Sequence, residues 1–212
     1  MTAWTNSGAP NRRNLWWYAA AFALLCAPLA AQGRETAFPA MSEEVLAPKT
    51  VPKVYDVTVI VFSDYGCPYC KKLHGTLAQL LARDPKVRIV WRDWPIFGGA
   101  SLLAARAAIA SQWQGKHSAF NAALFAQSGR MTDASVQAAA KAAKLDWPRL
   151  QQDIKTRAKE IDRVIARSNA GATALNFEGT PGMLIGNARF GGAASLTQLM
   201  EAVAQARKDG VG

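Results

Sequence analysis

The sequence predicts an α/β fold into which a block of helices has been inserted. Two segments rich in β-branched residues flank a helical pattern near residue 70, which indicates a strand–helix–strand unit. The chain then favours helix from about residue 100 to residue 177. A tight hairpin and a final helix complete the order. A chain of 212 residues is long enough for one such domain with a substantial core.

The strand–helix–strand unit begins with VYDVTVIVF (54–62), which is short and dense in β-branched residues, as expected of a buried strand. Pro68 opens the helix, because proline is tolerated in a first helical turn. Leucines follow at helical spacing until RDP at 83–85 ends the pattern. The second strand is KVRIVWRDWP (86–95). The CPYC motif therefore falls on the turn that leads from the first strand into the helix.

The central part of the chain favours several helices. Three are predicted at 101–113, 118–127 and 133–144, the last with Thr132 as its N-cap. A further helix begins near Asp146 and runs past Arg167, and a break is allowed within it. A hairpin follows at 181–192, because Gly186-Asn187 is a favourable pair for a tight turn. Ser195 and Gln198 form a capping box for the final helix.

Residues 1–31 have the pattern of an export signal. Arg12 and Arg13 precede an apolar run, LWWYAAAFALLCAPLAA, that ends in small residues. We expect a cleaved signal peptide, and a retained membrane anchor is the alternative because the run is only just long enough to span a bilayer. The arginine pair leaves the Sec and twin-arginine export routes open. Residues 32–52, with three prolines and no steady period, are predicted to be a linker or an N-terminal arm.

Three cysteines and two histidines limit the chemistry of the chain. Cleavage of the signal would remove Cys26 and leave Cys67 and Cys70 in an oxidising compartment, where disulfides persist. A zinc site needs more ligands than one C-x-x-C supplies, and haem attachment needs a histidine where Lys71 stands. A bridge across so short a loop constrains the unfolded chain little. The pair therefore indicates redox chemistry, with binding of a thiophilic ion such as Cu(I) as the alternative.

The net charge of +10 does not indicate a nucleic-acid partner. The basic residues are spread along the predicted helices and are not gathered with aromatic residues. Such a distribution is typical of a solvated surface.

The element order and four motifs resemble the DsbA-like thiol:disulfide oxidoreductases that bacteria export. The motifs are FSDYGCPYC, RDWPIFG, AARAA and EGTPGMLIGN, and the resemblance covers roughly residues 54–206. It implies a thioredoxin fold with an inserted helical subdomain. The domain is expected at 53–208 with its insertion at about 100–177, and the protein is expected in the periplasm.

The resemblance also implies the roles of individual residues. Cys67 would be the nucleophile, Cys70 the resolving cysteine, and Pro181 a cis-proline beside them. Thr180, which precedes this proline, would pair with an extended substrate. The position of Cys67 at a helix N-terminus agrees with its role, because free backbone N–H groups lower the pKa of a thiol, by themselves to about 7 at best.

One position departs from the pattern of the family. Many relatives carry a glutamate in the first strand where this chain has Val61. Asp64 is the nearby acid here. If a buried carboxylate normally shuttles the proton of the resolving thiol, this chain must use Asp64, water or no relay at all. The alternative is that Asp64 simply caps the turn.

The implied partners are exported proteins with thiols or disulfides, together with a redox partner that regenerates the cysteine pair. No cofactor and no metal is expected. The segment 32–52 is too short for a separate dimerisation domain, which favours a monomer. The direction of the reaction, oxidase or isomerase/reductase, is left open by the sequence.

Overall fold

A mixed five-stranded sheet forms the centre of this computed structural model, which describes residue 38 and residues 41–211. Strands β2 and β3 are parallel, and every other neighbouring pair is antiparallel. In spatial order the strands are β1 (Lys49–Thr50), β3 (Val87–Asp93), β2 (Val57–Ser63), β4 (Gly182–Ile185) and β5 (Ala188–Gly191).

Seven α-helices accompany the sheet within the described residues. Helix α1 connects the two parallel strands, α2 to α6 are inserted between β3 and β4, and α7 follows the hairpin. Their bounds are α1 Pro68–Arg83, α2 Gly99–Ala110, α3 His117–Ala126, α4 Asp133–Ala142, α5 Trp147–Thr156, α6 Ala158–Ala174 and α7 Leu196–Asp209. The α/β fold with an inserted helical block, predicted from the sequence, is confirmed.

The local patterns of the sequence place most element ends correctly. Helix α1 begins at Pro68, directly after the N-cap position. The capping boxes at Thr132 and Ser195 are both formed, each side-chain oxygen accepting a hydrogen bond from the backbone N–H three residues later. The break expected in the long helical segment falls at Arg157, between α5 and α6. The first long strand starts at Val57, three residues later than predicted, because the side chains of 54–56 are exposed.

Residues 41–50, the second part of the segment predicted to be a linker or an arm, pack against the sheet. Ala47 is buried, and β1 pairs with β3 through Lys49 and Thr50. Arg88 of β3 is buried, and its Nη2 donates to Glu43 Oε1 at 2.8 Å. The predicted signal peptide, residues 1–31, lies outside the described residues.

Two groups of buried apolar side chains hold the domain together. One lies between the sheet and helices α1 and α7, and includes Val59, Leu77 and Leu199. The other fills the inserted helical block and extends to Cys67 and Cys70. The cysteine pair therefore lies where the sheet and the insertion meet. None of the helices in the described part of the chain is long and apolar enough to span a membrane.

His117 gives the fold a predicted sensitivity to acid. Its side chain is buried, neither ring nitrogen has a hydrogen-bond partner among residues 41–211, and burial lowers the pKa of the imidazole to about 3. In the unfolded chain His117 takes up a proton below about pH 6.5, whereas in the native state it stays neutral down to about pH 3. The free energy of unfolding therefore falls as the pH decreases from 6.5 towards 3. Between pH 6.5 and pH 4.5 the free energy of unfolding decreases in both proteins. We expect this decrease to be about 2 kcal/mol smaller in His117→Phe than in the parent protein, because the variant has no imidazole to protonate.

Urea unfolding of both proteins at the two pH values measures this difference. Carboxylates common to both proteins cancel in the comparison. An equal loss of stability in the two proteins would contradict the assignment of a neutral, buried His117.

Candidate redox-active site

The cysteine pair lies at the start of helix α1. Cys67 is the N-cap residue, and no side chain caps the first turn of this helix. Its backbone N–H donates to the carbonyl of Asp64 at 3.0 Å, and its carbonyl accepts from Lys71 N–H at 3.1 Å. Cys70 lies one turn further into the helix. Both are free thiols, 4% and 2% exposed.

Asp64 fixes the turn that carries Cys67. One carboxylate oxygen accepts from the backbone N–H of Gly66 at 2.7 Å, and the other accepts from the backbone N–H of Phe97 at 3.0 Å. The carboxylate thus joins the turn before α1 to the loop after β3. Gly66 allows this close approach, because a Cβ there would lie 2.6 Å from Ser101 Oγ. Asp64, predicted to relay a proton or to cap the turn, is engaged with backbone amides at both oxygens.

The loop before β4 supplies the other side of the site. The peptide bond between Thr180 and Pro181 is cis, as the sequence predicted. Cys67 Sγ donates to the carbonyl oxygen of Thr180 at 3.3 Å. Strand β4 continues from this loop and pairs with β2, which places the loop beside the turn before α1. The fold therefore brings together Cys67, Cys70 and the Thr180–Pro181 pair.

The environment of Cys67 favours its thiolate. Its pKa is lowered to about 5, first by a hydrogen bond from the Cys70 thiol and then by the Thr180 hydroxyl and the backbone amides of Cys70 and Tyr69, while burial acts in the opposite sense. The Thr180 hydroxyl has no other partner in the described part of the chain, so it is free to donate once Cys67 is ionised. The value lies below the 7 expected from a helix N-terminus alone, because neighbouring side chains add their own hydrogen bonds.

Cys70 has the opposite character. Burial raises the pKa of its thiol well above the ordinary value, and its hydrogen bond to the Cys67 thiolate raises it further. At neutral pH the pair therefore consists of one thiolate and one thiol. This asymmetry is what a nucleophile and a resolving cysteine require.

A buried carboxylate that sequence reasoning did not single out lies below the pair. Asp93 ends β3, is 1% exposed and pairs in register with Ser63 of β2. Neither of its oxygens has a hydrogen-bond partner among the described residues, and burial raises its pKa to about 7. Strand alternation could have found it, because Asp93 shares a face of β3 with the buried residues Ile89 and Trp91.

Tyr65 lies close to this carboxylate. Its ring belongs to the same buried cluster as Cys67 and Cys70, and its hydroxyl donates to Asn121 Oδ1 at 2.9 Å. Burial raises the pKa of the hydroxyl well above its ordinary value, and the nearby charge of Asp93 raises it further. Tyr65 therefore remains protonated at neutral pH.

Metal ligands are sparse around the pair. Across the described ranges 38 and 41–211, no group of three or more His, Cys, Asp and Glu side chains is placed to hold a metal ion. His74, one turn beyond Cys70, has its ring stacked on Phe125 at 4.8 Å between centroids.

The hydroxyl of Thr180 gives a testable prediction. Thr180→Val keeps the shape of the side chain and removes one donor to the Cys67 thiolate, so we expect the pKa of Cys67 to rise by about one. The absorbance of the thiolate at 240 nm, followed against pH, measures this value. Thr173→Val is the control, because its hydroxyl bonds only within the exposed face of α6. The same pKa in all three proteins would count against the proposed hydrogen bond.

Comparison with known proteins agrees with this geometry. The model of the "DSBA-like thioredoxin domain" family matches residues 58–204. A thioredoxin-like oxidoreductase from Silicibacter pomeroyi DSS-3 is 40% identical, with a TM-score of 0.76, over 79% of this chain and 96% of that chain. The thiol-disulfide exchange protein alpha-DsbA2 from Wolbachia pipientis is 29% identical, with a TM-score of 0.74, over 80% of this chain and 92% of that chain.

Curated relatives match the chain over part of their own length. The Na(+)/H(+) antiporter NhaA 1 of Salinispora arenicola is 29% identical over 157 residues, which are 73% of this chain and 24% of the antiporter. The chain thus spans about a quarter of the length of the curated relatives it matches. Because the family model covers more than half of the chain and the structure has the corresponding fold, the chain belongs to the DsbA-like thioredoxin domain family.

Proposed function

We propose that the protein is an exported thiol:disulfide oxidoreductase that exchanges disulfides with proteins through Cys67 and Cys70. The observation that supports this function best is the asymmetry of the pair. The pKa of Cys67 is about 5, whereas burial raises that of Cys70. The likeness to alpha-DsbA2, a thiol-disulfide exchange protein, points to the same chemistry.

The reaction proceeds through a mixed disulfide. The Cys67 thiolate attacks one sulfur of a substrate disulfide, forming a Cys67–substrate bond and releasing the other substrate sulfur as a thiolate. Cys70 then loses its proton and attacks Cys67, which forms the intramolecular disulfide and releases the second substrate thiolate. The substrate gains two electrons and the cysteine pair loses two. In the oxidase direction the same steps run in reverse.

The surface around the pair suits an incompletely folded polypeptide. Tyr69 and Phe97 are 65% and 60% exposed, and Ile96 beside them is also exposed. Large apolar side chains at this exposure offer contacts to the apolar residues that an unfolded chain presents. The backbone of Thr180 lies next to Cys67 and is placed to pair with an extended segment.

The compartment follows from the chemistry and from the sequence. A disulfide made by this protein would persist only in an oxidising space, and the N-terminal pattern of residues 1–31 is that of an export signal. We therefore place the protein in the periplasm, as a monomer, with exported proteins as substrates and a separate redox partner that regenerates the pair.

Trapping of substrates tests the roles of the two cysteines. Cys70→Ala leaves a nucleophile that forms mixed disulfides and cannot release them, so covalent adducts with exported proteins should accumulate on non-reducing gels. Cys67→Ala should give far fewer adducts, because the pKa of the Cys70 thiol is raised and its thiolate is scarce at neutral pH. Both variants should lose catalysis of dithiol oxidation.

Two outcomes would contradict this assignment. Equal trapping by the two variants would remove Cys67 as the nucleophile. If the pair instead held a thiophilic ion such as Cu(I), neither variant would trap proteins, and both would lose the metal alike.

The redox potential gives a further prediction. The pKa of Cys67, about 5, lies between about 7 for thioredoxin and about 3.5 for DsbA. Because a stabilised thiolate favours the reduced form, we expect a potential between about −270 mV for thioredoxin and about −120 mV for DsbA. Equilibration with glutathione buffers of known ratio measures it. A potential outside this interval would show that the stability of the Cys67 thiolate does not determine the redox potential.

A further inference from the structure

A cavity borders the loop before β4, next to the nucleophile. It has a volume of about 480 Å³ and is lined by Thr180, whose carbonyl oxygen lies 3.3 Å from Cys67 Sγ. Other parts of its wall come from Glu178 in the same loop and from Gly191 and Gly192, where β5 ends. A cleft of this size can hold a small ligand or a long side chain.

Glycines leave this cavity open. Gly179, Gly191 and Gly192 all line it, and a Cβ added to any of them would have no heavy atom within 4 Å apart from its own chain neighbours. The loop and the end of β5 therefore form a wall that carries no side chains at these three positions. A side chain of a client can enter there without a steric obstacle from them.

Arg189 also lines the cavity, but its guanidinium is already engaged. Its Nη1 donates to the carbonyl oxygen of Leu175 at 2.8 Å and to that of Asn176 at 3.3 Å. The guanidinium carbon lies 5.2 Å from the centre of the Phe177 ring. These contacts fix the segment that leads to Glu178, and they direct the charge of Arg189 towards backbone carbonyls.

Glu178 contributes a carboxylate that is free to bind a client. Its side chain is exposed, and it has no hydrogen bond or ion pair with any residue in the described part of the chain. Glu178 lies two residues before Thr180, whereas Arg189 pairs in register with Leu184, four residues after Thr180. Along the loop, the acid is therefore the charged residue nearer to the nucleophile.

Two other acids near the nucleophile present no free carboxylate to a client. Asp64 accepts backbone hydrogen bonds at both oxygens, and Asp93 is 1% exposed. On the helix side of the sulfur, Lys71 and Lys72 of α1 are exposed. A client that lies across Cys67 therefore meets bases on the helix side and one free acid on the loop side.

An extended client places its side chains within reach of the cavity. Successive residues of an extended chain rise by about 3.3 Å, and their side chains point to alternate sides. When the client's cysteine is at Cys67 and its backbone lies beside Thr180, a residue next to that cysteine lies at the cavity. The long stem of a lysine or arginine can follow the wall while its charge reaches Glu178.

We propose that this cavity is a client subsite, in which the carboxylate of Glu178 binds a lysine or arginine side chain that flanks the client's reactive cysteine. The inference rests on the proposed exchange function and names the class of client that the site favours. Because the carboxylate is exposed to solvent, the ion pair contributes modestly. We expect it to speed attack on such a client about threefold.

The net charge of the protein makes this preference distinctive. With a formal net charge of +10, the protein as a whole attracts acidic peptides and repels basic ones. A preference for a basic residue on one flank of the cysteine opposes that overall field. Such a preference therefore requires a local acid.

Stopped-flow kinetics with peptide probes measure the preference. Each probe is a capped Ala-X-Cys-Z-Ala peptide whose cysteine forms a mixed disulfide with 2-nitro-5-thiobenzoate, and X or Z is Lys, Gln or Glu. Attack of the Cys67 thiolate on the peptide sulfur forms a Cys67–peptide disulfide and releases the coloured thiolate. Rates with dithiothreitol correct for the intrinsic reactivity of each probe.

The unaltered protein at low salt should react about threefold faster with lysine than with glutamine on one flank of the cysteine. Sodium chloride at about 0.5 M should remove most of this gain, because it screens exposed charges. The other flank, which faces the lysines of α1, should show no preference for lysine.

Two variants with the same change in net charge make the test specific. In Glu178→Gln the ratio of the lysine rate to the glutamine rate should fall to about one. Glu201→Gln removes an exposed carboxylate from α7, outside the cavity, and should keep the threefold ratio. Glu178→Lys should reverse the preference and favour glutamate on the same flank.

The subsite is overturned if Glu178→Gln keeps the lysine preference, or if Glu201→Gln loses it to the same extent. It is also overturned if the unaltered protein prefers lysine on neither flank. Each of these results refutes the subsite alone, since the probes still release their thiolate. Absence of release from every probe would refute the exchange function and the subsite together.

Discussion

The two hydrogen bonds that the Asp64 carboxylate accepts from backbone amides are the constraint on which the site depends. They hold the turn that carries Cys67 against the loop that follows β3. This turn sets the direction from which the first amides of α1 face the sulfur. It also sets how closely Thr180 approaches, because Cys67 lies between the helix and the loop before β4. A shift of the turn would therefore change both sides of the nucleophile at once.

Two buried acids lie at the ends of neighbouring strands in different surroundings. Each oxygen of Asp64 accepts a hydrogen bond from a backbone amide, whereas burial raises the pKa of Asp93 to about 7. The difference comes from their surroundings, since both lie at the carboxyl ends of neighbouring parallel strands. One acid gains stability from backbone donors. The other is destabilising when charged, because burial opposes its ionisation.

Local patterns in the sequence were sufficient for most of the fold and for the cysteine pair. The start of α1 at Pro68, the capping box at Ser195 and the hairpin turn depend on neighbouring residues, so their signals are visible in short windows. Features made by distant contacts were not predicted. The low pKa of Cys67 depends partly on Thr180, 113 residues away.

The short strand β1 changes what the edge of the sheet offers to other polypeptides. It pairs with Ile89 and Val90 in the middle of β3, so this part of the seven-residue strand does not form an open edge of the sheet. An uncovered edge of that length is a template for pairing with any extended polypeptide. The hydrogen bond from the buried Arg88 to the exposed Glu43 joins this segment to β3. The paired segment therefore shortens the stretch of β3 that another extended polypeptide could pair with.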